Sequence, residues 1–448
     1  MILVLNARIM ISISHLNESE AQPFVVSSII GETANMSLIA FSLKERSLNI
    51  YMSTQGENLQ AVIQLCKELI NAPSVSGEEQ KAVQVLERYY RSRGINDLYV
   101  DEYGSLVAGI RGNRPGKTIL FDGHIDVVPV ADPAAWSTDP YVGEIIEDRL
   151  YGRGASDMKG AVSAMTVAAC DFYEATRGDF AGTILIASVV QEERFEGVAA
   201  RAISAKFKPD IVVIGESTNL NLNIGQRGRA EIQLESFGSP AHSSNPEKGF
   251  NAVYALCDIL NDIRRLPTPT HPVLGKGILE LTDIVSSPYP GASVVPEYCV
   301  VTFDRRLLPG ETPDDVLKPL QQIIDEHMSK NSKCKFSVRL ASGKETCYTG
   351  AIIEAERFFP GWLFDEKEPF VLKALNKLHE VGIDSKISHY NFCTNGSHYA
   401  GEANIPTIGI GPSVESLAHV VDEYIDIDQL LKAVVAYKAI MEAFTMDS

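Results

Sequence analysis

His124 and Asp126 stand two positions apart, directly after an apolar run that ends in PheAspGly. An imidazole and a carboxylate at the carboxyl end of a buried strand lie where open α/β sheets put their ligand sites. Alone, the pair has an ordinary structural explanation, a histidine satisfied by a neighbouring acid. Asp157, in GlyArgGlyAlaSerAspMetLysGly, precedes a helical pattern, so it reads equally well as an N-cap or as a carboxylate turned into the same crevice. Glu192 and Glu193 follow the strand-like IleAlaSerValValGln, and two adjacent acids at a strand end repel unless cations compensate them. Glu216 closes ValValIleGlyGlu, and His419 follows ThrIleGlyIleGlyPro after a short loop. Each could be a solvated side chain, but their shared placement after strands or before a helix argues for one site. Imidazoles and carboxylates without a thiolate suit zinc, with cobalt or manganese as substitutes. Neighbouring side chains diverge, so of Glu192 and Glu193 one can bind metal while the other stays free as a base.

The elements that must carry these residues alternate between two periodicities. Short apolar runs at 118–121, 183–190, 210–214 and 407–410 have strand character, and helical patterns, notably 158–175, separate several of them. Upstream, Leu59, Val62, Ile63, Cys66 and Ile70 recur at helical spacing, and Ser76 with Glu79 forms a capping-box signal. The pattern predicts an α/β fold whose sheet is mostly parallel and covered by helices. Between 228 and 345 the order becomes β-α-β-β-α-β, the ferredoxin-like arrangement, read as a domain inserted between catalytic parts at 52–227 and 346–448. Residues 1–51 carry little charge and no clear periodicity, and no basic segment precedes an apolar stretch; they read as a non-native or disordered extension.

Composition narrows the function classes. A chain of 448 residues is long for one core, and 58 acidic against 40 basic residues leave a formal charge of -18. That charge repels nucleic acid and anionic lipid alike, and no run approaches the roughly 18 apolar residues of a membrane span. Seven scattered cysteines without a CxxC pair read as reduced thiols in a cytoplasmic protein. GlyArgGly at 152–154 is no dinucleotide loop, because Asp157 stands where the third glycine belongs. Cys393 reads as a structural thiol.

Together, GlyHisIleAspValValPro, GlyArgGlyAlaSerAspMetLysGly, GlnGluGlu, GlyGlu and AlaHisValValAspGlu resemble the acetylornithine deacetylase / succinyl-diaminopimelate desuccinylase family of dinuclear zinc metallohydrolases, related to aminoacylases and carboxypeptidase G. The resemblance runs from about Met52 to the end. It implies two zinc ions per chain, His124 and Glu216 on one, Glu193 and His419 on the other, and Asp157 bridging them. Asp126 would orient His124, and Glu192 would serve as general base and acid in hydrolysing an amide of a small N-acyl amino acid or peptide. His242, in SerProAlaHisSerSer, matches a lid histidine that helps hold the oxyanion and often reaches in from a second subunit, which implies a homodimer. Arg306, in AspArgArgLeuLeuPro, matches an arginine that binds a substrate carboxylate, although Arg305 beside it could be the one facing inward. Two departures are visible: Ser293 stands where many relatives have asparagine, and AsnGlySerHis replaces GlyGlyThrAsp, which would bring Asn395 and His398 near the pocket. These features look most like a little-characterised branch of deacetylases and selenium-associated hydrolases. A carbamoyl or ureido amidohydrolase on the same scaffold is the alternative within this chemistry, and a non-catalytic metal-dependent binding protein is the alternative outside it.

Overall fold

The computed structural model describes residues 60–446, and the extension expected at 1–51 lies outside them. A helix over 60–70, as the apolar spacing predicts, and another over Gln80–Ser92, where the capping-box signal placed one, open the described chain. The capping signal is only partly realised: Glu79 is the N-cap and makes no side-chain cap bond, its carboxylate accepting instead from the main-chain N–H groups of Gly77 and Gln191.

Four parallel strands form the centre of a nine-stranded sheet, in the order Ala181–Val189, Arg114–His124, Ile211–Ile214, Thr407–Gly409. Their near-continuous apolar sequences suit strands buried on both faces. The helix Gly160–Thr176, built from small residues that let it approach closely, packs against the C-terminal helix Ile427–Thr445 in the main core. On the opposite face Val198, Ala199 and Ile203 of Val198–Phe207 pack with Leu120, Leu185 and Val212. Antiparallel strands flank the parallel core: Leu98–Val100 and Leu106–Arg111 on one side, Leu222–Gln226 and Trp362–Leu363 on the other. These strands are too short for periodicity to announce them.

A separate antiparallel sheet runs Ile278–Ser287, Tyr298–Leu307, Gly228–Phe237, Lys335–Leu340. Gly228–Phe237 alternates buried and half-buried residues, the signature of a sheet with one covered face. Helices Ala252–Ile263 and Pro313–Lys330 supply that cover through Leu256, Ile259, Leu320 and Ile324, which pack on Ile232, Val301 and Phe303. Ile278–Ser287 is an edge strand, and Leu281, Ile284 and Val285 on it are exposed. No helix among the described residues is long and apolar enough to cross a membrane.

Candidate metal centre

Register brings the carboxyl ends of the parallel strands to one edge. His124 is the last residue of its strand and pairs with Val189; Asp122 and Gly409 both pair with Ile214. Glu192 and Glu193 therefore emerge just past Val189, Glu216 just past Ile214, and His419 from the loop beyond Gly409. Asp157 comes to the same edge from the turn ahead of Gly160–Thr176, whose N-cap is Lys159 and not Asp157.

Asp157 lies between two imidazoles. Its Oδ1 is 3.0 Å from His124 Nε2, and its Oδ2 is 3.1 Å from His419 Nε2. Glu216 Oε1 is 3.3 Å from His124 Nε2 and Glu192 Oε2 is 4.0 Å away, while Glu193 Oε2 is 3.0 Å from His419 Nε2. His124 Nδ1 donates to the main-chain carbonyl of Asp126 at 2.9 Å, which turns the Nε2 lone pair toward the carboxylates.

Asp126 acts differently from expectation. Its side chain stays 3.8 Å from His124 Nδ1, and its carboxylate accepts from the main-chain N–H of Glu192 (3.0 Å) and Glu193 (3.1 Å) and from Ser76 Oγ (2.7 Å). The main chain of Asp126 orients the histidine, and its side chain holds the turn carrying the two glutamates. A second organising acid, Glu423, escaped sequence reading. Fully buried, it accepts from the main-chain N–H groups of Gly154, Ser156 and Asp157 at 3.1, 2.8 and 3.0 Å and pairs with Arg153, which also donates to Val420 carbonyl. Its sequence signal was its place at the end of AlaHisValValAspGlu, four residues beyond His419, to which no role was assigned.

Four carboxylates surround two imidazoles here, all but His419 largely buried. Burial pushes Glu192 well above the usual carboxylate range and, with the charge of Asp157 beside it, Glu193 to about 7. Hydrogen bonding to Asp157 and Glu193 lifts His419 to about 10. Burial would also raise Asp157, but the two histidines outweigh it and hold that carboxyl low. So much negative charge in a dry site is costly without added cations. Nitrogen and oxygen donors in two overlapping groups, His124 with Asp157 and Glu193, and His124 with Glu192 and Glu216, are close enough to hold metal ions.

A cavity of about 430 Å³ opens over these groups, and Arg306, Arg229, Asp304 and Glu196 form its far wall. Arg306 faces this cavity, with Nε 2.8 Å from Asp304 Oδ1. Arg305, alternating to the other face, is buried against Glu311 and the Ile278 carbonyl. Arg229 stands opposite Arg306 in register but is saturated by Glu196, Glu231 and Asp304.

Asn395 and His398 do not reach the cavity, which corrects the expectation for both. Asn395 bridges Asp122 Oδ1 and the Gly197 N–H (2.9 and 2.8 Å), and His398 is held between Ser204 Oγ and Glu402 (2.6 and 2.8 Å). Both are buried struts beneath the site. His242 is exposed in the antiparallel unit, its Nδ1 accepting from Ser244, and it is not part of this chain's cavity wall. Ser293, in the left-handed region at φ 56°, precedes Val294, which bridges to His242. Cys393 touches the cavity, but burial raises its thiol well above its ordinary value, in keeping with a structural role.

The sequence pattern of Peptidase family M20/M25/M40 matches residues 120–443, the whole stretch from the His124 strand into the last helix. The chain belongs to this family. Among its M20 relatives, the uncharacterised protein YgeY of Escherichia coli (strain K12) is 30% identical, covering 84% of this chain and 92% of its own length. Succinyl-diaminopimelate desuccinylase 2 of Ruegeria sp. (strain TM1040) is 28% identical, covering 89% of this chain and 98% of its own. The M20 fold also superimposes on Bacillus subtilis YXEP, described as a dinuclear metal binding peptidase, with a TM-score of 0.62 at 14% identity, over 86% of this chain and 98% of that one.

Proposed function

We propose that this chain is a dinuclear metal-dependent amidohydrolase that cleaves small N-acyl amino acids or peptides. The observation that carries the reading is Asp157, whose two oxygens face two different histidines. His124 and Glu216 would hold one ion and His419 and Glu193 the other, with Asp157 shared. Zinc suits that donor set, and cobalt or manganese can substitute. When bound, the metals supply Lewis acidity, lowering the pKa of water and stabilising charge on the carbonyl oxygen. Glu192 is the proton carrier. Its Oε1 is buried and without a partner among the described residues, so it can accept a proton from attacking water and return it to the leaving amine nitrogen. Burial raises its carboxyl, which makes it a stronger base than an exposed glutamate. Arg306 receives a substrate carboxylate through its forked guanidinium. The names of the relatives, a desuccinylase and a dinuclear metal binding peptidase, are in keeping with amide substrates of either kind.

The antiparallel unit serves as a lid, expected to span 228–345. Its apolar edge strand Ile278–Ser287 pairs two copies, so that His242 of one copy reaches the other's cavity. A fully active monomer in sedimentation would defeat this dimer.

The deciding experiment combines elemental analysis with hydrolysis of N-acetyl amino acids and dipeptides, before and after chelation and for Glu192→Gln. Two metals per chain, with activity lost on chelation and in Glu192→Gln, is the expected result. A Glu192→Gln enzyme that keeps its rate would overturn the assignment of the base.

A further inference from the structure

We propose that a polar recess beside the metal cavity, lined by Asn223, Ser388, His389 and Glu415, is a subsite for a cationic hydrogen-bond donor on the substrate, a primary ammonium or a guanidinium. The proposal rests on the function proposed above and names one feature of the substrate.

The recess holds about 170 Å³ and shares Ser217, Phe392 and Glu415 with the larger cavity, so one molecule can occupy both. Its floor is an interior position of the central sheet. Asn223 lies on Leu222–Gln226, in register with Ser388 on one side and Gly409 on the other, and is 3% exposed. Strand interiors of this kind are normally apolar, yet Asn223 presents an amide whose Oδ1 is buried and has no hydrogen-bond partner among the described residues. Buried polar atoms are almost always paired, so an orphan lining a cavity marks a place for a ligand donor.

His389 supplies a second, independent sign. Pairing between Ile387–Tyr390 and Leu222–Gln226 shifts register between Ser388 and Tyr390, and such irregularities redirect side chains beside binding sites. The redirected residue is His389, which lines the recess with a buried Nδ1 that also lacks a partner among the described residues. Glu415 is the one carboxylate among the residues lining the recess, and its Oε2 accepts from Asn391 Nδ2 at 3.2 Å. With His389 in the tautomer that leaves Nδ1 unprotonated, these acceptor atoms and one negative charge select a donor with positive charge over an anion or an alkyl group. Arg306, on the wall of the adjoining cavity, completes a site for a molecule with a carboxylate at one end and a cation at the other.

The test uses metal-loaded enzyme and matched substrate pairs, N-acetyl-lysine against N-acetyl-norleucine and the corresponding dipeptides. Wild-type enzyme should prefer the cationic member by about tenfold or more in kcat/KM, the scale of a charge-assisted hydrogen bond. Glu415→Gln should bring that ratio close to one, mainly through KM for the cationic member, and Asn223→Leu should lower it. Calorimetric binding of the same pairs to Glu192→Gln protein reads the selectivity without turnover. Glu415 is exposed, so unchanged melting of Glu415→Gln checks the fold. A wild-type enzyme indifferent to charge, or a preference that survives Glu415→Gln, overturns the subsite. If no pair is hydrolysed but calorimetry still shows selective binding of the cation, the subsite stands and the amidohydrolase reading falls.

Discussion

His124 and His419, which reach the site from opposite ends of the described chain, face opposite oxygens of one carboxylate: Asp157 Oδ1 at 3.0 Å and Oδ2 at 3.1 Å. A group in that position can be shared by two ions only while both oxygens are equivalent acceptors. Asp157→Asn keeps the volume and removes one acceptor. The variant should bind one metal or none by elemental analysis and lose roughly a hundredfold or more in hydrolysis, without a large change in far-UV circular dichroism. Two tightly held metals in Asp157→Asn would contradict the shared position.

Glu423 should matter as much to the site as some of the proposed ligands, although its own partners are the main-chain N–H groups of the Asp157 turn. It clasps three main-chain N–H groups of the Asp157 turn and pairs with Arg153, whose guanidinium also holds the loop after His419. Glu423→Gln breaks a buried ion pair, for which about 3–5 kcal/mol of lost stability is expected. Metal affinity should fall by roughly ten- to a hundredfold. Denaturant unfolding of the metal-free protein and metal titration separate the two effects.

The two adjacent arginines should part company in experiment. Arg306→Ala should raise KM for substrates with a free carboxylate by about tenfold or more while leaving the melting temperature close to wild type. Arg305→Ala should do the reverse, because it strands Glu311 and empties a buried site, costing about 1–3 kcal/mol of stability. Steady-state kinetics and thermal melting of the pair settle which face each occupies.

Lys159 makes stability depend on pH. Burial lowers its ammonium from 10.5 to about 7, and its Nζ donates to the Leu69 and Ala72 carbonyls at 2.8 and 3.0 Å, two acceptors that match the two N–H bonds of a neutral amine. Between those values Lys159 holds its proton in the unfolded chain but not in the folded one, so its contribution to stability rises with pH across the window and is lost as pH falls to about 7. In metal-free protein His419, raised to about 10, slopes the other way, so the lysine is read by difference: urea unfolding from about pH 7 to 10 should show wild type gaining stability relative to Lys159→Met as pH rises. A slope unchanged by the substitution would mean another group is responsible.

The parallel core and the grouping of His124, Glu192, Glu193, Glu216 and His419 were legible because each follows an apolar strand pattern, which sets the sheet edge a residue leaves from, and Asp157 was legible from its place just ahead of a helical pattern. Asn395 and His398 were misplaced for a physical reason: Asn395, just ahead of the short helical turn Ser397–Glu402, is held by Asp122 and Gly197, and His398 within that turn by Glu402 and Ser204, and a polar run in a loop does not reveal its direction. The roles of Asp126 and Glu423 were hidden because their partners are main-chain N–H groups, which every residue has. Asn223 and His389 were invisible because their distinction is a missing partner.

Thr407–Gly409 lies between Ile211–Ile214 and Leu222–Gln226, strands translated much earlier. As the polypeptide leaves the ribosome, the middle of the sheet must wait with an open slot until this late piece arrives, and it brings with it the loop that carries His419. Pairing across such a sequence distance is slow. The metal-binding edge is therefore finished among the last steps of folding, and a nascent chain halted before Thr407 exposes two unpaired strand edges at its centre, a natural target for holdase chaperones.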